Sequence, residues 1–360
     1  MPRIKFSDRK DKLTSRERLS LALERKEVDR PPALPMIGGV SRRAIGISYD
    51  EWSTNWEAAA ASFLAAQDLI GFDSLGASQD LSVEAADFGQ EIVYPPESTA
   101  YPNFNNQYVG TVDDYKKLKR FDPRESKRMG GRIKIVSSLV KDRGDEVPVG
   151  GFVYGPLGVL SQIRGHRNLF ADLIKHPDEV LEAVDLITDV LALDVKAQLE
   201  EGALGVTFDP LFSSASSLRA ETWEKFEGPF LKRLTDIVHG AGAGVTIHNC
   251  GSGVYFDEVI KWSGAGAFSV ANPAYGCKTW EEHAQKWGQK VITLGVSDPA
   301  NTGHDFTYGE VLQDSWNQLD LFRKFDAGHV LATGCEFPPN GNLLNAIAMV
   351  EATRLYADRF

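Results

Sequence analysis

The sequence predicts a (β/α)8 TIM barrel led by one N-terminal helix. Three observations carry this. Short β-rich apolar runs recur along the 360 residues, helical segments separate most of them, and two distant runs end alike. Val245-Thr246-Ile247-His248-Asn249-Cys250-Gly251 closes on two residues of metal-ligating type and a glycine, and Val330-Leu331-Ala332-Thr333-Gly334-Cys335 closes on a glycine and a cysteine. In a barrel the C-terminal ends of all strands share one face, so these two ends would meet there. A doubly wound open sheet is the main rival.

The elements follow in order. Residues 1–13 are basic and irregular and read as a loose arm. Thr14-Ser15-Arg16-Glu17 has the form of a capping box, and the helix it opens stops near Asp29-Arg30-Pro31-Pro32. Strand candidates cover residues 33–37, 72–75, 147–154, 205–209, 244–248, 267–270, 291–295 and 330–334. Helices are expected over 56–69, 177–201, 220–241, 255–262, 279–287, 308–325 and 343–356. Residues 14–360 read as one domain. The segment from about 84 to 146 is too long for a plain connection between the second and third strands. Its Tyr94-Pro95-Pro96-Glu97 and Tyr101-Pro102-Asn103-Phe104 stretches carry hairpin and loop chemistry. It is expected to be an ordered insertion covering one end of the barrel.

Composition excludes several function classes. A net charge of −11 disfavours a nucleic-acid partner, which needs a basic face. No apolar run approaches the ~20 residues of a membrane span. Met1 to Asp11 lacks the apolar core of a secretory signal. Three cysteines make a disulfide framework unexpected. The expectation is a cytoplasmic enzyme with reduced thiols.

His248, Cys250 and Cys335 are therefore the candidate metal ligands. Imidazole with two thiolates suits Zn²⁺, and three protein ligands leave a fourth position open, as in catalytic zinc sites. The competing reading makes the cysteines small buried hydrophobes and His248 a satisfied core residue. Pattern alone does not choose between them.

Further motifs extend along the chain. Ser15-Arg16-Glu17-Arg18 leads to Asp29-Arg30-Pro31-Pro32, and Ser82-Val83-Glu84-Ala85 precedes the hairpin. Gly155-Pro156, Asp209-Pro210 with Ser213-Ser214, and Gly295-Val296-Ser297-Asp298-Pro299 follow strand candidates. Gly334-Cys335-Glu336-Phe337-Pro338-Pro339 and Ala348-Met349-Val350-Glu351-Ala352 close the chain. From about residue 14 to 357 the sequence resembles the uroporphyrinogen decarboxylase superfamily, and within it the zinc-dependent corrinoid methyltransferases. Decarboxylases of that superfamily carry an arginine-rich segment after the first strand. Here the place reads Met36-Ile37-Gly38-Gly39-Val40-Ser41-Arg42-Arg43, with the arginines shifted. The methyltransferase branch carries His-x-Cys and a distant Cys, matching His248, Cys250 and Cys335.

The resemblance implies methyl transfer between a corrinoid (cobalamin) on a partner protein and a small molecule. That molecule is either a thiol acceptor such as coenzyme M or a methyl ether or methylamine donor. A tetrapyrrole decarboxylase and a non-catalytic corrinoid-binding scaffold are the alternatives. A homodimer is compatible with each. Glu84 is a candidate catalytic residue, as a fourth ligand or an acceptor beside the metal; otherwise it is a surface loop carboxylate. Asp209 can orient substrate or His248, or simply form an Asp-Pro turn. Asp298 raises the same two options. Cys277 is expected to be a bystander. The remaining histidines are expected at helix ends or facing solvent.

Overall fold

The computed structural model describes residues 11–357, so most of the N-terminal arm lies outside the described residues. Eight parallel strands form one curled sheet: β1 (Ala33–Leu34), β2 (Leu75–Gly76), β3 (Val149–Tyr154), β4 (Gly205–Asp209), β5 (Gly244–Asn249), β6 (Ala267–Val270), β7 (Ile292–Ser297) and β8 (His329–Thr333). From β2 to β8 each strand pairs with the next in sequence, and β8 returns to pair with β1, where Ala33 faces Leu331; β1 and β2 stand at the two ends of this order. Helices cover the outside, as the expected TIM-barrel architecture requires.

β1 and β2 are only two residues each, and Asp73 joins them. Its N–H donates to the Ala33 carbonyl (3.0 Å), and its carboxylate accepts from the Ala33 N–H (2.8 Å). Two buried arginines hold that carboxylate: Arg18 Nη1 at 2.7 Å and Arg30 Nη1 at 2.8 Å. Arg18 lies on the first helix, Ser15–Leu23, whose Thr14–Glu17 capping box is formed as expected. The helix is thus tied to the seam of the barrel. Residues 11–13 are also fastened, through Asp11 to Arg30 and through the Lys12 and Leu13 N–H groups to Asp29.

The segment between β2 and β3 contains the expected hairpin, which pairs Ile92–Val93 with Tyr101–Pro102. It also contains a helix absent from the sequence expectation, Arg128–Arg143. Glycines at 130 and 131 weaken its helical signal. Packing explains both: a Cβ on Gly130 would lie 3.0 Å from the Arg124 carbonyl, and one on Gly131 would lie 3.3 Å from Trp56 Cβ. The helix expected over 220–241 divides into Ala220–Phe226 and Gly228–Gly240, next to the Gly228-Pro229 pair.

Candidate metal centre

His248 is the fifth residue of β5 and points into the barrel, where it is buried. Its Nδ1 lies 3.0 Å from Ser269 Oγ, directly across the ladder on β6. Asn249, next along, points the other way and anchors the strand end. Its Nδ2 donates to the carbonyls of Pro210 (3.0 Å) and Leu211 (3.1 Å) and to Ser213 Oγ (3.0 Å), and its Oδ1 accepts from Gly251 N–H (2.8 Å). Cys250 leaves the strand between these fixed neighbours. Gly251 is needed because a Cβ there would strike Ser214 Oγ.

Cys335 follows β8 by two residues. Gly334 N–H donates to the Ser297 carbonyl (2.8 Å), and a Cβ on Gly334 would lie 2.5 Å from Ala271 Cα. The adjoining end of β7 is strained: Gly295 has φ 107° and the β-branched Val296 has φ 82°.

One ligand atom from each of His248, Cys250 and Cys335 lies within 4.8 Å of the others. Tetrahedral zinc bonds of about 2.1 Å to nitrogen and 2.3 Å to sulfur put donors roughly 3.7 Å apart. A shift of about 1 Å or less therefore brings the three donors into that geometry, and a nitrogen with two sulfurs is a donor set that zinc favours. The electrostatics agree. Hydrogen bonds from the Cys335 thiol and from His248 hold the Cys250 thiol down to about 4. The same contact with Cys250, and burial, push Cys335 up. Burial disfavours the charged form of His248, but Cys250 and the Asp209 and Glu336 carboxylates outweigh it and raise the net value. A pair of thiols sharing one proton beside an imidazole is the arrangement a dication replaces.

The other expected site residues take different places. Glu84, on the short helix Val83–Asp87, is fully buried rather than on the surface. Its Oε1 accepts from Arg132 Nη1 (2.7 Å) and from the Tyr154 N–H (3.1 Å), and it does not join the three-donor group. Arg132 also binds Asp194 Oδ2 at 2.6 Å. Asp209 ends β4, buried, with Oδ1 lacking a protein partner, and burial pushes its carboxyl up to about 7. Asp298 is exposed and receives the Asn301 N–H at 2.8 Å, the turn-forming role. Cys277 lies outside the cluster of potential ligands.

Two histidines expected at helix ends or facing solvent are drawn inward, His283 fully buried and His329 half-buried. His283 is buried between the Ala274 N–H and Thr293 Oγ1, and His329 stacks on Phe322 at 4.1 Å between ring centroids. Glu336 carried no role in the sequence reading. It is half-buried beside Cys335, accepts the Gly39 N–H at 2.6 Å, and is pushed up to about 7 by the desolvation of its carboxyl.

The profile of the family described as uroporphyrinogen decarboxylase (URO-D) matches residues 14–356. The chain belongs to this family. Within the uroporphyrinogen decarboxylase family, full-length similarity runs to methyltransferases. The methylcobamide:CoM methyltransferase MtbA of Methanosarcina acetivorans is 26% identical over 349 residues, covering 95% of this chain and 98% of that protein. MtbA of Methanosarcina mazei is 27% identical over 350 residues, with the same coverage. A uroporphyrinogen decarboxylase of Prochlorococcus marinus is 28% identical over only 137 residues, 36% of this chain. Among solved structures, a methyltransferase from Methanosarcina mazei superposes with TM-score 0.81 at 18% identity, covering 96% of this chain and 99% of that one.

Proposed function

We propose that this protein is a zinc-dependent methyltransferase that moves a methyl group between a corrinoid protein and a small substrate. The observation that carries the proposal is the convergence of His248, Cys250 and Cys335, from two strand ends 85 residues apart in the chain, on one half-buried point. The end-to-end similarity to methylcobamide:CoM methyltransferases supports the same reading.

His248, Cys250 and Cys335 would hold the zinc. Bound there, zinc supplies Lewis acidity, which lowers the pKa of a substrate thiol or withdraws charge from the heteroatom of a methyl donor. The chain's own groups do the rest. Ser269 orients the imidazole so that Nε2 faces the thiols. Asp209, with an unpartnered buried Oδ1, offers a position that can hold a proton near neutral pH. Glu84 is held by Arg132 and Tyr154, so it would act on the site through its surroundings and not as a free base.

The decarboxylase reading needs cationic groups free to grip several substrate carboxylates. Arg42 is instead engaged with the Ile47 carbonyl, Glu97 and Asn340, and Arg43 with the carbonyls of Asn340 and Gly341. Their engagement favours the methyltransferase reading.

The test is metal content of protein purified under reducing, chelator-free conditions, beside His248→Ala and Cys335→Ala variants. About one zinc per chain, lost in both variants, is expected, together with methyl transfer between methylcobalamin or cob(I)alamin and thiols or methyl ethers. Metal-free wild-type protein would overturn the proposal.

A further inference from the structure

TIM barrels normally fill their interior with layers of side chains. This one is hollow. A cavity of about 560 Å³ runs along the barrel axis, from Arg16, Leu19 and Leu23 on the first helix up to Ser269 and His248. That volume falls in the range of small-molecule pockets.

Three glycines at the wall show why the space is empty. A Cβ on Gly76 would meet nothing within 4 Å, and on Gly150 or Gly244 its nearest neighbours would be 3.9 Å away. None of the three has a positive φ. Gly205 and Gly151 differ: a Cβ there would lie 2.7 Å from the Gly244 carbonyl and 2.5 Å from Gln198 Oε1. Gly76, Gly150 and Gly244 thus have neither a backbone nor a packing requirement for glycine. A strand glycine is locally unfavourable. What these three do is leave the axis open.

The wall defines the chemistry of an occupant. Leu19, Leu23, Leu34, Leu204 and Leu294 present apolar surface, while Ser74, Ser78, Thr207 and Thr246 add scattered side-chain hydroxyls. No carboxylate or lysine lines the cavity, and its one arginine, Arg16, sits at the end away from His248. An isolated charge in such a wall would be poorly solvated.

We infer that the barrel axis is a second small-molecule site, adjoining the metal centre at His248 and extending from it toward the first helix, for an uncharged and mainly apolar molecule with one or two hydrogen-bonding oxygens. The inference does not rest on the zinc reading, because none of the three glycines touches the thiols and binding is measured without turnover.

The test titrates the full-length protein with anisole and phenol, beside benzoate and benzylammonium, by calorimetry and thermal shift, before and after chelator treatment. The variants are Gly76→Leu and Gly150→Val. Gly309→Leu, on an exposed helical glycine with nothing within 4 Å of an added Cβ, is the control. Expected is saturable binding of the two neutral probes that survives chelation, is unchanged in Gly309→Leu, and weakens at least ten-fold in the cavity variants. Circular dichroism identifies any variant that fails to fold, in which case the other decides. Absence of saturable neutral-probe binding, equal binding of the charged probes, or unchanged affinity in a folded cavity variant would each overturn the inference.

Discussion

His248 Nδ1 and Ser269 Oγ lie 3.0 Å apart across the β5–β6 ladder, both buried, so a serine on the neighbouring strand sets which imidazole nitrogen faces the thiols. Partners of this kind fix the ring orientation of a metal-ligating histidine, and removing one typically lowers metal affinity 10–100-fold. Ser269→Ala should keep the fold and bind zinc about ten-fold more weakly. Competition against a chromophoric chelator measures this, and an unchanged zinc affinity would show that packing alone orients the ring.

Asn249 does comparable work on the opposite face of β5. Its amide joins the loop after β4 to the turn that carries Cys250 through four hydrogen bonds. Asn249→Ala leaves several buried polar groups unpaired, each at a penalty of about 1–3 kcal/mol, part of which water recovers. A loss of roughly 3 kcal/mol in urea unfolding is expected, together with weaker zinc binding because Cys250 loses its anchor.

The strand ends of the metal centre were legible in the sequence because each joins an apolar run to a glycine and a ligand residue within a few positions. Groups that act across the fold were not. Ser269 matters only through register with His248, 21 positions away, and Arg132 meets Glu84 and Asp194 across 48 and 62 positions. The helix Arg128–Arg143 hid behind two glycines that serve packing. His283 and His329 looked polar, yet His283 satisfies its ring inside the core and the half-buried His329 stacks on Phe322. The hollow axis could not be read from composition, because it depends on which glycines face the same space.

His283 makes a pH prediction with a definite sign. Burial pushes its imidazole from an ordinary 6.5 down to about 4, and the neutral ring accepts from Ala274 N–H while its other nitrogen meets Thr293 Oγ1. Between these values the unfolded chain binds a proton that the folded chain refuses. Stability therefore falls as pH drops from about 6.5 to about 4. His329, pushed down by burial to about 3, extends the loss further. The His283 contribution is on the order of 3 kcal/mol. His283→Gln should flatten the pH dependence of the urea midpoint between pH 7 and 5 even though it lowers the midpoint at pH 7. An unchanged slope would mean that His283 is not neutral in the fold.

The buried triad of Glu84, Arg132 and Asp194 holds two carboxylates on one guanidinium, with Glu84 Oε2 and Asp194 Oδ1 left without protein partners. Burial pushes the Asp194 carboxyl up to about 6 despite Arg132, so the arginine compensates the pair only in part. Removing Arg132 leaves both acids facing each other in a water-poor interior. Breaking a buried ion pair in this way typically destabilises by about 3–5 kcal/mol. Arg132→Leu should therefore lower stability by about that amount. Adding Glu84→Gln and Asp194→Asn should recover a large part, because the liability is the uncompensated charge and not the missing side-chain volume. Urea unfolding of the single, double and triple variants measures the coupling. If the triple variant is no more stable than Arg132→Leu, the guanidinium acts mainly by packing the helix Arg128–Arg143 against the barrel. If stability returns but methyl transfer does not, the Glu84 charge serves the reaction separately from the fold.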